Sequence, residues 1–253
     1  NLKLVVAALG QRDYSSRGPD PANISNTIVS SDFLRNSSIP DLHFQMHYTM
    51  KNDAAGTSIL LGTGAAYKTI VPRLSSTQSG ITHVVEEKVN GLTAIAFTTI
   101  SLKPVTIKMM TRYGENIADV LSISGFVVKD LADISTGDYS MTYTPLKNST
   151  YWTDIQSNGK NIQVGIFGGY LKNNGTKEKM SGTSNPVFGL ATNIESLIRV
   201  SPRVMFISNK TKIACEIEYT SAAYGSNYDV NYIPANTNSV ANLRLLMSVI
   251  YSF

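Results

Sequence analysis

Hydrophobic and polar positions alternate with a period of two along most of the chain. Over residues 41–50, Leu42, Phe44, Met46, Tyr48 and Met50 share one face, and His43, Gln45, His47 and Thr49 share the other. Over 105–113, Val105, Ile107, Met109 and Tyr113 oppose Thr106, Lys108, Met110 and Arg112. Over 198–207, Ile198, Val200, Val204 and Phe206 oppose Arg199, Ser201, Arg203 and Met205; over 212–220, Ile213, Cys215, Ile217 and Tyr219 oppose Lys212, Ala214, Glu216, Glu218 and Thr220. Each stretch predicts a strand with one apolar and one polar face. In the last stretch, Leu243, Leu245, Met247, Val249, Tyr251 and Phe253 fall on one face and Asn242, Arg244, Leu246, Ser248, Ile250 and Ser252 on the other. Strands are predicted near 1–9, 41–50, 58–71, 92–102, 104–113, 120–129, 138–145, 150–156, 160–172, 194–207, 210–223 and 239–253. That is about twelve, with lengths near the ~9–11 residues that cross a bilayer.

The connections sort by length. Those at 51–57, 103–104, 157–160 and 208–211 are short, whereas 10–40, 72–91, 172–193 and 224–239 are long, and the two classes alternate along the chain. Outer-membrane barrels have short periplasmic turns and longer extracellular loops. Aromatic residues near strand ends, among them Tyr48, Tyr67, Tyr113, Tyr139, Tyr143, Tyr151, Trp152, Tyr170 and Tyr219, suit interfacial girdles. The sequence therefore predicts an all-β fold: an antiparallel transmembrane β-barrel of the bacterial outer membrane, formed by residues 1–253 as a single domain. The alternative is a soluble or surface β-rich binding protein, an adhesin or lectin-like sandwich. Such a protein would fill a core with its apolar faces and has no reason to sort its loops by side.

Composition narrows the choice. The chain has 253 residues, 42% of them hydrophobic and only 16% charged, against about 25% charged in ordinary soluble domains. Mean hydropathy is −0.04, too high for disorder. No run approaches the roughly 18 apolar residues of a membrane-spanning helix, while a barrel strand, half facing lipid and half facing water, gives this balance. The net charge is +4, without a run of Lys and Arg longer than two, so no nucleic-acid partner is expected. Cys215 is the single cysteine and reads as a packed thiol. Asn1 opens directly into a strand with no signal peptide before it, which is expected of a processed or truncated piece lacking N-terminal strands.

Candidate chemistry is sparse. His43 and His47 have ligand spacing only on a helix; on a strand rising ~3.3 Å per residue they stand about 13 Å apart and read as polar lumen lining. The run from Gly62 to Thr69 lacks the glycine of a phosphate loop before Lys68-Thr69 and reads as small residues in a barrel wall. There is no nucleophile elbow, cysteine pair or EF-hand loop. The long connection 10–40 offers only Asp13, Asp20, Asp32 and hydroxyls, without histidine. No enzyme, cofactor or metal is expected. The charged positions instead gather on the polar faces: Lys3, Lys68, Lys108, Arg112, Arg199, Arg203, Lys212 and Arg244, with Glu216 and Glu218 among them. A charge facing lipid costs about 2–4 kcal/mol at the midplane, so these face water. They are the predicted pore-lining and solute-binding residues, and rings of Arg and Lys favour anions. The expected activity is passive diffusion of small hydrophilic, anionic solutes.

Several ordered blocks carry a resemblance. They are 112–126 (RYGENIADVLSISGF), 151–175 (YWTDIQSNGKNIQVGIFGGYLKNNG), 199–206 (RVSPRVMF), 216–225 (EIEYTSAAYG) and 240–253 (VANLRLLMSVIYSF), with 1–11, 39–48 and 60–72 ahead of them. Together they resemble Bacteroidota members of the DcaP-like outer-membrane porins. The resemblance implies a passive channel, a homotrimer, uptake of small anionic solutes such as dicarboxylates, and a full barrel of sixteen or more strands of which this chain is the C-terminal portion. The last strand, ending in Leu245, Met247, Val249, Tyr251 and Phe253, resembles the assembly signal read by the barrel-assembly machinery. Outer-membrane lipid and lipopolysaccharide are the expected surroundings.

Overall fold

The computed structural model describes residues 1–10, 17–20, 23, 26–29, 36, 39–78, 80–130 and 141–253. Ten long strands form one antiparallel sheet: β1 (Leu2–Leu9), β2 (Asp41–Asn52), β3 (Thr57–Ile70), β4 (Val89–Ser101), β5 (Val105–Glu115), β6 (Thr142–Ser157), β7 (Ile162–Thr176), β8 (Ile194–Ser208), β9 (Thr211–Tyr224) and β10 (Asn238–Tyr251). Each pairs with the next along the chain. Among the described residues β1 and β10 each keep one edge unpaired, so the wall is open between them.

The period-two pattern is satisfied in the sense opposite to that of a soluble sandwich. The apolar rows point outward: Phe44 is 46% exposed, Leu245 78% and Met247 69%. The polar rows lie on the inner face, His43, Gln45, His47 and Thr49 being half-buried. The register continues this division across the sheet. His47, Gly62, Phe97, Met110, Trp152, Gly169, Arg199, Thr220 and Asn242 form one inward row, each opposite the next. Exposed apolar faces of this extent require a lipid solvent. Among the described residues no helix is long and apolar enough to cross a membrane. The chain is the wall of an outer-membrane β-barrel, and backbone pairing between neighbouring strands satisfies the polar groups that lipid cannot.

The short connections, β2–β3, β4–β5, β6–β7 and β8–β9, all lie at one end of the wall and the long ones at the other. The buried core sits at the long-loop end. There a second, smaller sheet branches off β6: Ser124–Asp130 pairs with the first residues of β6, then follow Val187–Leu190, Arg17–Pro19 and Thr27–Val29. Phe126, Val128 and Phe188 of this sheet pack on Ile70 and Val89 at the upper ends of β3 and β4. On its other side, Val127 packs with Leu146, Met180 and the fully buried Tyr232, whose phenol is pushed above its ordinary pKa by that burial. At the rim, Lys129 Nζ lies 2.6 Å from Glu178 Oε2. Hydrogen bonding and charge hold the Glu178 carboxyl below its usual range, so this exposed contact is lost as pH falls through that lowered value.

Two expectations about the strands change. The stretches 138–145 and 150–156 are not separate strands. Residues 142–157 are one strand, β6, which exchanges partners: its first residues pair with Ser124–Asp130 and the rest, from Lys147 on, with β5. Pro145 falls before that exchange, and a register shift at Lys147/Asn148 marks it. Residues 138–140 lie outside the described residues. The stretch 120–129 is not a wall strand either; it belongs to a segment folded inside. Among the described residues the wall thus has ten strands where about twelve were expected. Gel migration should separate boiled from unboiled protein after detergent extraction, as a hydrogen-bonded wall resists the detergent until heated; identical migration would contradict the barrel.

Candidate functional site: the inward face and the segment that narrows it

The connection between β5 and β6 enters the lumen. After Glu115 the chain turns at Asn116, forms a short 3-10 helix over Ala118–Val120, passes Leu121 in the left-handed region (φ 57°) and then joins the branch sheet. It is held by side chains from much of the wall. Lys68 of β3 and Asp119 form a buried ion pair. Arg112 Nη2 of β5 donates to Ser122 Oγ at 2.7 Å, and Asn148 Nδ2 of β6 donates to the same oxygen at 2.8 Å and also to the Ile123 carbonyl. Ser124 Oγ donates to the Leu146 carbonyl at 2.9 Å and accepts from Ile117 N at 3.1 Å. Ile123 joins Leu171, Leu197 and Ala222, inward residues of β7, β8 and β9. Gly114 makes room for Ile117, since a Cβ there would stand 2.5 Å from Ile117 Cδ1. One segment meeting inward residues from β3 to β9 requires the wall to curve around it.

A cavity of about 150 Å³ remains between this segment and the wall, bordered by His43, Gln45, Lys68, Thr93, Arg112 and Asp119. The guanidinium of Arg112 donates to the Ser122 and Thr150 hydroxyls and feels the charge of Asp119, and its buried Nε has no hydrogen-bond partner among the described residues.

All the charged positions singled out from the sequence lie on the inward face, and the register tells which ones meet. Arg203 donates from Nη1 to Asp154 Oδ2 at 2.6 Å and from Nη2 to Asp154 Oδ1 at 2.8 Å and Gln156 Oε1 at 2.9 Å. It reaches from β8 to β6 across Gly165 of β7, where a Cβ would lie 3.0 Å from the guanidinium carbon. Arg199 Nη1 stands 3.3 Å and Arg244 Nη2 3.5 Å from the same Glu218 oxygen, and Arg199 Nε donates to Thr220 Oγ1 at 3.0 Å. Glu216 is opposite Arg203 in the register. Lys3, Lys108 and Lys212 make no ion pair among the described residues. Lys212 thus stays out of the Glu216–Glu218 cluster with which it shares a face.

Asp154, Asp119, Ser122 and Asn148 were not foreseen. Asp154 alternates with Ile155 along β6, but the strand around it is short of apolar residues. Asp119 and Ser122 depend on the chain folding inward, which no local pattern announces. Trp152 was assigned to an interfacial girdle; it faces inward instead, because Tyr151 occupies the outward position beside it. Tyr139 lies outside the described residues. Among the final apolar residues, Leu245, Met247, Val249 and Tyr251 point outward from β10, and Phe253 follows the strand with its ring centroid 6.1 Å from that of Tyr251.

No protein-family model matches the chain, and no curated protein matches it either. Solved structures similar to it include an outer-membrane protein and an iron transporter. Outer-membrane-expressed OmpT of Vibrio cholerae aligns at 10% identity and a TM-score of 0.43, covering 84% of this chain and 56% of that one. OmpT folded in vitro gives 9% identity, a TM-score of 0.38, and 85% and 64% coverage. The FrpB iron transporter of Neisseria meningitidis, F5-1 variant, gives 9%, 0.44, and 95% and 38%. The chain thus spans little more than half of the first OmpT chain, and at such identity the likeness concerns the fold alone. It is the antiparallel ladder, apolar outside and polar inside, that makes the chain the wall of a β-barrel of the outer-membrane type. One expectation is corrected: that the chain is not an enzyme. A barrel fold does not by itself decide activity, and Asp13 and Asp32 of the first long connection lie outside the described residues.

Proposed function

We propose that the protein is an outer-membrane diffusion channel for small hydrophilic solutes, with a weak preference for anions, of the kind the DcaP-like resemblance implies. The observation that carries this reading is the segment from Asn116 to Ser124, bound to the polar inner face through Lys68–Asp119 and Arg112–Ser122. A curved wall with a polar inner face and a segment seated against that face are parts a size-limiting channel needs. The sign of the selectivity follows from the pairing. Arg203 is neutralised by Asp154, whereas Lys3, Lys108 and Lys212 make no ion pair among the described residues, leaving fixed positive charge on the path. Carboxylate-bearing solutes such as dicarboxylates suit these donors. A homotrimer and recognition of the last strand by the assembly machinery belong to the same reading.

Reversal potentials across planar bilayers in a salt gradient test it. The unaltered protein should favour the anion, and clear cation preference sinks the reading. Arg203→Ala leaves the Asp154 carboxylate without its partner, and Arg199→Ala leaves Glu218 to Arg244 alone. The double variant should shift the reversal potential toward the cation while retaining the heat-dependent gel shift.

A further inference from the structure

One feature of the inner wall is unlike a channel for simple ions. Just below the level of Arg112, the inward row carries Phe97, Met110 and Trp152 on three successive strands, with Phe167 beside them. Barrel interiors are ordinarily polar, yet these four side chains are partly exposed on the inner face and belong to none of the buried clusters of the branch sheet. Two of the rings lie down along the wall. Phe97 extends from β4 over Gly62 of β3, where a Cβ would be 2.1 Å from its Cζ, and meets His47 of β2 edge-on at 5.2 Å. Phe167 leans over Gly169, where a Cβ would be 3.0 Å from its Cε1, and its centroid lies 6.1 Å from that of Trp152. The result is a low apolar platform running across several strands.

The polar groups bordering this platform choose its occupant. Gly169 is opposite Arg199, which is joined to Glu218 and Thr220. Phe167 is opposite Asp154, which is held by Arg203. Donors and acceptors therefore stand side by side at the edge of the rings. A free carboxylate arriving here would find both arginines already beside a carboxylate, and Lys108, opposite Asp154, adds one more donor beside the rings. A polyhydroxylated ring has groups that both donate and accept, and one face covered by C–H bonds that packs on an aromatic surface. We infer that the inward row Phe97–Met110–Trp152–Phe167 is a binding track for the pyranose rings of a saccharide, placed beneath the narrowing. The inference rests on the channel reading above but not on its anion preference.

Maltotriose is a suitable probe, with benzoate as the competing chemistry, both added to the protein in planar bilayers while single-channel current is recorded. Maltotriose should reduce the open current in a concentration-dependent way, and Trp152→Ala should raise its half-blocking concentration by about tenfold. Phe167→Ala, whose ring covers a glycine and leaves little behind, should act in the same direction and serves if Trp152→Ala does not fold. Conducting steps that maltotriose leaves unaltered overturn the track and leave the channel standing. Block by benzoate without block by maltotriose overturns it also, and reassigns the platform to aromatic anions. Maltotriose block that persists unchanged in both variants places the sugar elsewhere and overturns it. Absence of any conducting step overturns the channel reading and the track together.

Discussion

Replacing Asp119 by Asn should enlarge the single-channel conductance and make the open current noisier. Both partners of the Lys68–Asp119 pair are nearly buried, with side-chain exposures of 8% and 12%. Removing one charge of a buried pair typically costs ~3–5 kcal/mol, because the remaining charge has no partner. That cost is comparable to the summed net value of the five other side-chain hydrogen bonds that hold the segment, each worth about 1 kcal/mol. The segment should therefore loosen from the wall around Asp119 while the ladder of β1 to β10 persists. The double variant Lys68→Met with Asp119→Leu removes both charges and restores packing, and should recover a conductance close to that of the unaltered protein. Unchanged conductance and noise in Asp119→Asn would show that the segment does not narrow the path.

The second large effect is expected at Gly125, where the inward segment becomes the branch sheet. Gly125 has φ 158° and pairs with Gly189 at φ 138°. A Cβ on Gly125 would stand 1.9 Å from the Phe188 carbonyl oxygen, a main-chain atom that no rotamer change can move. Gly125→Val should separate Ser124–Asp130 from Val187–Leu190 and loosen Phe126 and Val128 from Ile70 and Val89. Overpacking and backbone strain of this kind together cost roughly 2–5 kcal/mol. Trypsin added to intact cells should then cleave after Lys129, where the unaltered protein resists, while the heat-dependent gel shift remains. Equal resistance of the two proteins would show that the branch sheet tolerates the side chain.

The wall was legible because its rule is local. Lipid on one side and water on the other impose a period of two on every strand, so Leu42 through Met50 or Leu243 through Tyr251 disclose their own outward face without knowledge of any neighbour. The lumenal position of Lys68, Arg112, Arg199 and Arg203 followed from the same rule. What they bind there did not. Arg203 meets Asp154 two strands away because Gly165 leaves the way clear, and a glycine within a strand does not announce which neighbour will lie over it. The strand 120–129 was misplaced for a related reason. Phe126, Val127 and Val128 form a short continuous apolar run, all buried in protein, and such runs do not distinguish a strand in lipid from one in a core. The girdle assignment of Trp152 failed because Tyr151 and Trp152 are adjacent, and parity admits only one of them to the outer face.

The inward segment also bears on the order of assembly. Ile123 rests on Leu171, Leu197 and Ala222, which all follow it in the chain and lie on three different strands. Its seat is incomplete until β9 has paired with β8, so the chain must carry the segment undocked through most of the construction of the wall. Contacts of such long sequence separation form late, since each requires the closure of a large loop. The nascent wall is therefore wide while it is being built, and it acquires its narrow bore only in the closing steps of folding.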